Sequence, residues 1–227
     1  VSAGALERVL GSALARHADD GDLYFEFCTT EALSLEEGQV KKANKDVSQG
    51  VGVRVVAGEK TGYAYTDDVT LTTLESAART AGHIASGSGS DQAVAVRSSR
   101  PERDLYALPA SALETPLPTK IALLEAVDKA ARAADPRIKN VFASLAIEQK
   151  LVMIATADGR LVSDVQPLAR LNVTCIAEDK NGRQQGTYGG GGRQAFSFFL
   201  DGDRHLRFAS EAARQAVLNL DAVDAPA

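Results

Sequence analysis

Three histidines, two cysteines and thirty acidic side chains are the groups with which this 227-residue chain could hold a metal, attack a carbonyl or move a proton. A metal hydrolase gathers them at short spacing, typically two histidines on one helical face with an acid nearby. Here His17, His83 and His205 stand far apart, and none has another histidine within a turn. Each reads as a helix-end or surface residue. Cys28 and Cys175 lie singly in strand-like runs, so they read as buried free thiols and not as a disulfide framework or a Cys-x-x-Cys knuckle. There is no Gly-x-Ser-x-Gly elbow, and no histidine stands near either cysteine in sequence. The acid pairs Asp19-Asp20, Glu36-Glu37 and Asp67-Asp68 fall at expected turns or strand ends, where carboxylates are solvated or cap helices. Gly50-Val-Gly52 lacks the third glycine of a dinucleotide fingerprint, and no Gly-Lys-Ser/Thr follows Gly189 to Gly192. No catalytic residue, metal ligand or cofactor site is expected in this chain.

One run still asks for an explanation: Tyr188, Gly189, Gly190, Gly191, Gly192 and Arg193. Four glycines in a row sacrifice chain entropy unless the backbone must bend sharply or approach another segment closely. Two readings stay open, a mobile loop and a backbone docking surface for a peptide or a following segment.

The elements that must position this run follow from hydrophobic periodicity. Residues 3–18 place Leu6, Val9, Leu10, Ala13, Leu14 and His17 at helical spacing. Strand alternation follows over 22–30, 33–42, 47–57 and 61–66, with turns at Glu37-Gly38 and Gly58-Glu59-Lys60 short enough for antiparallel hairpins. A second helix over 71–85 turns Leu74, Ala77, Ala78, Ala81 and Ile84 to one side. Thr119 is the expected N-cap of a third helix carrying Ile121, Leu124, Val127 and Ala131 inward and ending before Pro136. Strands are expected at 140–149, 150–157, 160–165, 168–178 and 183–189, then a helix over 204–218 with Leu206, Ala209, Ala213, Ala216, Val217 and Leu220 on one stripe.

The class is therefore α+β, with antiparallel sheet flanked by helices. Val53 to Gly62 aligns with Val173 to Gly182 at an offset of 120 residues, which favours a duplicated helix, several strands, helix unit. The expected organisation is a first unit at 1–86, a Ser/Gly/Pro-rich connection at 87–118, a second unit at 119–220 and a tail at 221–227. The chain starts at Val1 instead of Met and reads as a piece of something longer. Its 25 basic against 30 acidic side chains leave a net charge of -5, which opposes a role in gripping phosphate backbones, so no nucleic-acid partner is expected. No apolar run reaches the roughly 20 residues of a membrane span, and the protein is expected to be cytoplasmic with no membrane partner.

Four segments carry a specific resemblance: Asp22-Leu-Tyr-Phe-Glu26, Leu35-Glu-Glu-Gly-Gln-Val-Lys41, Gln49-Gly-Val-Gly-Val-Arg54 and Gly58-Glu-Lys-Thr-Gly-Tyr-Ala-Tyr65. Continued through Gly189 to Arg193 and Ala213-Arg-Gln-Ala-Val-Leu-Asn-Leu220, the chain resembles the N-terminal half of the TldD type in the TldD/PmbA family, whose members were historically labelled modulators of DNA gyrase. The resemblance implies a cytoplasmic zinc metallopeptidase that acts on unfolded peptides, as a heterodimer with a PmbA-like partner subunit or as a homodimer. The family's His-Glu-x-x-x-His helix is absent from this sequence, so zinc is expected in a C-terminal half beyond it, and this chain alone is expected to be inactive. The implied role is substrate enclosure and subunit interface, with Tyr188 and Gly189 to Arg193 forming one wall of the peptide channel. The alternative is a free-standing protein-binding or assembly module with no enzymatic activity.

Overall fold

The computed structural model describes residues 2–15, 18–86, 94–98, 110–180 and 182–222. Helix α1, Ala3–Leu14, opens where the Ser2 hydroxyl accepts from the Ala5 N–H and buries Leu6, Val9, Leu10 and Ala13. It stops short of the expected residue 18 because Ala15 swings to ψ 142°, and His17 lies outside the described residues. Strands β1 (Asp20–Glu36), β2 (Gln39–Ala57) and β3 (Lys60–Thr66) follow, joined by the two expected tight turns. Glu37 and Gly38 both take positive φ, 53° and 69°, as a two-residue hairpin between right-twisted strands requires. Helix α2, Leu71–Ser86, begins where the Thr70 hydroxyl accepts from the Thr73 N–H. Ala85 is buried on its inner face while Ile84 is 55% exposed, correcting the expected stripe.

The short strand β4 (Arg97–Ser98) precedes helix α3 (Leu117–Ala134). Thr119 is not the N-cap: the helix starts three residues earlier than expected, with Pro116 at the cap and Pro118 in the first turn, where a missing N–H costs nothing. Strands β5 (Ile138–Thr156), β6 (Arg160–Asp179) and β7 (Gly182–Gly192) then precede a four-residue helix α4 (Ser197–Leu200) and helix α5 (Arg204–Asn219). The fold is α+β. Strand order runs β3-β2-β1-β5-β6-β4, with β7 also on β6; β2–β3 and β6–β7 are antiparallel, and β4 lies parallel to β6.

Several strands expected as separate pieces are continuous. The expected strand 33–42 is divided by the Glu37-Gly38 turn: its first part joins 22–30 in β1 and its remainder joins 47–57 in β2, while β5 merges 140–149 with 150–157 and β6 merges 160–165 with 168–178 through Pro167. The chain divides into one compact unit of residues 1–28, 47–105 and 150–166 and another of 29–46, 106–149 and 167–227, so β1, β2, β5 and β6 each serve both. The apparent breaks fall where each strand leaves one core and enters the other, and the apolar alternation lapses there. Pro167 lies outside the stretches of β6 that pair with β4 and β7, so its absent N–H removes no bond to either.

The first unit packs α1 and α2 on Leu23, Phe25, Val51, Val53 and Val55. The second packs α3 and α5 on alternate residues of β5 and β6, Val141 to Ile147 and Ala169 to Ala177. In each, a helix lies directly on a strand glycine. A Cβ on Gly62 of β3 would overlap the Ala81 carbonyl of α2, and one on Gly186 of β7 would overlap the Ala212 carbonyl and Ala216 N–H of α5. Gly62→Ala and Gly186→Ala should therefore each cost about 1–3 kcal/mol of overpacking. Gly4→Ala, in open helical surroundings, should gain about 0.5–1 kcal/mol. Urea melts of the three variants check the contrast.

Candidate functional site

The glycine run expected to face substrate is strand, not loop. Gly189 to Gly192 pair with Asn172, Leu171, Arg170 and Ala169 of β6, and Arg193 follows the strand on the surface. The small residues answer three close approaches, the first at Gly189, where a Cβ would stand 2.5 Å from the Leu171 carbonyl oxygen. A Cβ at Gly190 would stand 2.7 Å from the Phe208 ring of α5, and one at Gly191 would overlap the Ala169 carbonyl. Tyr188 packs edge-on against the same Phe208, with ring centroids 5.5 Å apart, and stays 41% exposed. Phe208 thus clamps the strand from the helix side. Among the described residues no strand pairs with the other edge of β7, so alternate backbone groups there have no ladder partner. Near one end of that strand, the Asn219 side chain donates to the Gln185 carbonyl at 2.8 Å.

Sequence reasoning missed two hollows. In the first unit, β1, β5 and β6 line a 390 Å³ cleft with Phe25, Phe27, Leu151, Met153 and Val165, walled by Val69 before α2. Phe27, Leu151 and Val165 remain 39%, 42% and 49% exposed, although large apolar side chains ordinarily lose about 1.5–3 kcal/mol by staying wet. Two carboxylates also line the cleft, each already engaged: Glu26 accepts from the Tyr24 hydroxyl at 2.8 Å and Asp164 from the Gln166 side-chain amide at 3.0 Å. The cleft is an apolar receptacle without an acid–base pair. Strand alternation made each residue legible, but its neighbours across the sheet were not.

In the second unit, a 270 Å³ cavity is lined by Glu31 and Leu33 of β1, Ala43 to Lys45 of β2, Leu113 and Thr115 before α3, and Leu117 and Lys120 in its first turn. Lys120 is 1% exposed. Its ammonium donates to Glu31 at 2.8 Å and to the Leu113 carbonyl at 3.2 Å. This pair spans 89 residues of sequence, and no local spacing announces it.

The remaining candidates stay apart. His83 is exposed near the end of α2, whereas His205 is buried at the start of α5, its Nδ1 2.9 Å from the Phe199 carbonyl oxygen. Asp19 accepts from the Gly58 N–H at 2.6 Å and Asp68 accepts from the Thr70 N–H, so these acids hold turns. Among the described residues, no three His, Cys, Asp or Glu side chains gather, and none is assigned to a metal. No helix of the described residues is long and apolar enough to cross a membrane.

Comparison with known proteins agrees with this architecture. Residues 21–85 match the PmbA/TldA metallopeptidase domain 1, and residues 111–220 match the PmbA/TldA metallopeptidase central domain. The chain is 38% identical to a metalloprotease TldD homolog of Haemophilus influenzae, over 93% of this chain and 45% of that protein. It is 33% identical to the metalloprotease TldD homolog of Buchnera aphidicola from Acyrthosiphon pisum, over 92% and 44% respectively. The chain therefore spans less than half the length of these relatives. Its fold is shared with TldE from Thermococcus kodakarensis, with TM-score 0.69 at 14% identity over 94% of this chain and 47% of that one. It is shared also with a Thermotoga maritima protein assigned as a modulator of a DNA gyrase, with TM-score 0.68 at 15% identity over 91% and 46%.

Neither cysteine is placed as a nucleophile. Both are buried, and desolvation pushes the Cys175 thiol up to about 12, so its reactive thiolate is scarce at neutral pH. The folded chain should resist iodoacetamide at Cys175 through pH 9, and unfolding in guanidinium should expose both thiols. Mass spectrometry of the alkylated protein reads the difference.

Proposed function

Because the chain belongs to the PmbA/TldD metallopeptidase family, we propose that it is the N-terminal, non-catalytic part of a TldD-like cytoplasmic zinc peptidase. In this reading the zinc and the groups that activate water belong to a segment outside this sequence, and the described residues hold unfolded peptide. A PmbA-like subunit, or a second copy, completes the enclosure.

The observation that carries the reading is the apolar cleft of the first unit. Three adjacent strands expose Phe27, Leu151 and Val165 into one hollow, within the size range of small-ligand sites. An unfolded chain, unlike a folded one, presents apolar side chains that fill such a space. The open edge of β7 at Tyr188 to Gly192, with Arg193 just past its end, adds a second means of holding: an extended peptide joins a strand edge through backbone bonds that ignore side-chain identity. Apolar filling and backbone pairing together favour extended chains of many sequences, as a peptidase for unfolded peptides requires.

The 227-residue chain should bind a fluorescein-labelled apolar peptide of about ten residues in an anisotropy titration. Leu151→Lys with Val165→Lys, both at exposed positions, should weaken binding at least about tenfold, the equivalent of losing one buried apolar side chain. Unchanged circular dichroism would exclude misfolding. Absent binding by the parent chain, or equal binding by the double variant, would overturn the reading.

A further inference from the structure

The cavity of the second unit has a composition that the peptide-holding role leaves unexplained. Among the described residues its charged lining groups are Glu31, Lys45 and Lys120, two cations against one anion. An ammonium carries three protons. Glu31 and the Leu113 carbonyl accept two from Lys120, and among the described residues nothing accepts the third. Lys120 is 1% exposed and lines the hollow, so a further acceptor for its ammonium would come from the cavity side. Lys45, exposed on β2, has no ion-pair partner among the described residues.

The backbone adds to the same sign. Leu117 and Lys120 belong to the first turn of α3, an 18-residue helix whose N-terminus no side chain caps. Its dipole places partial positive charge at the cavity wall. Beside the charges, Leu33, Ala43, Leu113 and Leu117 give the hollow an apolar lining, and its 270 Å³ suits one residue and not a folded partner.

We propose that this cavity binds a carboxylate carried on an apolar residue: the C-terminal residue of a peptide, its α-carboxylate received by Lys120 and Lys45 and its side chain by Leu33, Leu113 and Leu117. The proposal rests on the reading that the chain holds peptides, and adds that one end of the peptide is recognised. Glu31 then has a definite task. It balances Lys120 when the cavity is empty and keeps the ammonium in place, so that the incoming carboxylate meets a preorganised donor.

The test is calorimetric titration of the 227-residue chain with N-acetyl-Ala-Ala-Leu as free acid, with the same peptide as C-terminal amide, and with N-acetyl-leucine. The acid should bind at least about tenfold more tightly than the amide, since a charge-assisted pair is lost with the carboxylate. Lys45→Glu should weaken the acid about fivefold and leave the amide unchanged, and added salt should act in the same direction. Leu117→Ala should weaken both acids through lost packing. Lys45 and Leu117 are exposed, so these variants retain the fold. Equal affinity of N-acetyl-leucine and the tripeptide would support the carboxylate site and assign its ligand to a single residue. Weaker N-acetyl-leucine would support it and assign the ligand to a peptide terminus. Acid and amide binding alike, with affinity lost on Leu151→Lys and Val165→Lys, would overturn the carboxylate site while leaving peptide holding intact. No binding of any of the three, alongside no binding of the longer apolar peptide, would overturn both.

Discussion

The close seating of a helix backbone on a strand glycine is the constraint around which both compact units are built. α2 rests on Gly62 and α5 on Gly186, and the helices present Ala77, Ala78, Ala81 and Ala85, or Ala209, Ala212, Ala213 and Ala216, to the strands below. Gly82 extends the theme between helices, where a Cβ would stand 2.8 Å from the Ala13 carbonyl oxygen. Small residues on both sides bring backbones close, and dispersion accumulates over many short contacts. This explains how a chain with only 5% aromatic residues fills two cores. It also frees larger side chains for other places, and Phe27, Leu151 and Val165 stand in a cleft instead of a core.

The same economy of side chains governs the glycine run of β7. Gly190 admits the Phe208 ring and Gly191 admits the Ala169 carbonyl, so the run is first a packing solution. Close approach to its own fold leaves the opposite edge of the strand bare. A strand pinned by β6 and clamped by Phe208 is an ordered edge, and ordering lowers the entropy cost to a peptide that pairs with it. The packing role of the glycines concerns the helix-covered face and the edge paired with β6, and so does not compete with a role for the other edge.

Much of the fold was legible because it depends on local period. Residues 71–85 read as helix and are α2 almost to the residue, and Glu37-Gly38 reads as a turn and adopts the required positive φ. Errors arose where local pattern and tertiary cover part company. Thr29 to Glu31 are polar and half-buried in the middle of β1, so the strand looked like two, although its backbone continues unbroken. A lysine on a helix normally reaches water, and nothing local to Lys120 says otherwise; Glu31, 89 residues away, holds it inside. The cleft residues were each visible as strand apolars, but strand order decides that β1, β5 and β6 are neighbours, and no spacing in the sequence encodes that order.

Lys120 and Glu31 also bear on how structure and function divide. A buried ion pair contributes little net stability, because the desolvation of both charges offsets their attraction, and an apolar pair of like volume would serve the core as well. The core of the second unit has apolar residues in abundance, with Leu123 and Leu124 one turn and Val127 two turns further along α3. Stability alone therefore gives no reason for a lysine at position 120. What the pair supplies and leucine would not is a fixed ammonium with a spare proton at the wall of a hollow, beside the uncapped start of a helix. Chemistry at that wall, more than packing behind it, accounts for the charge.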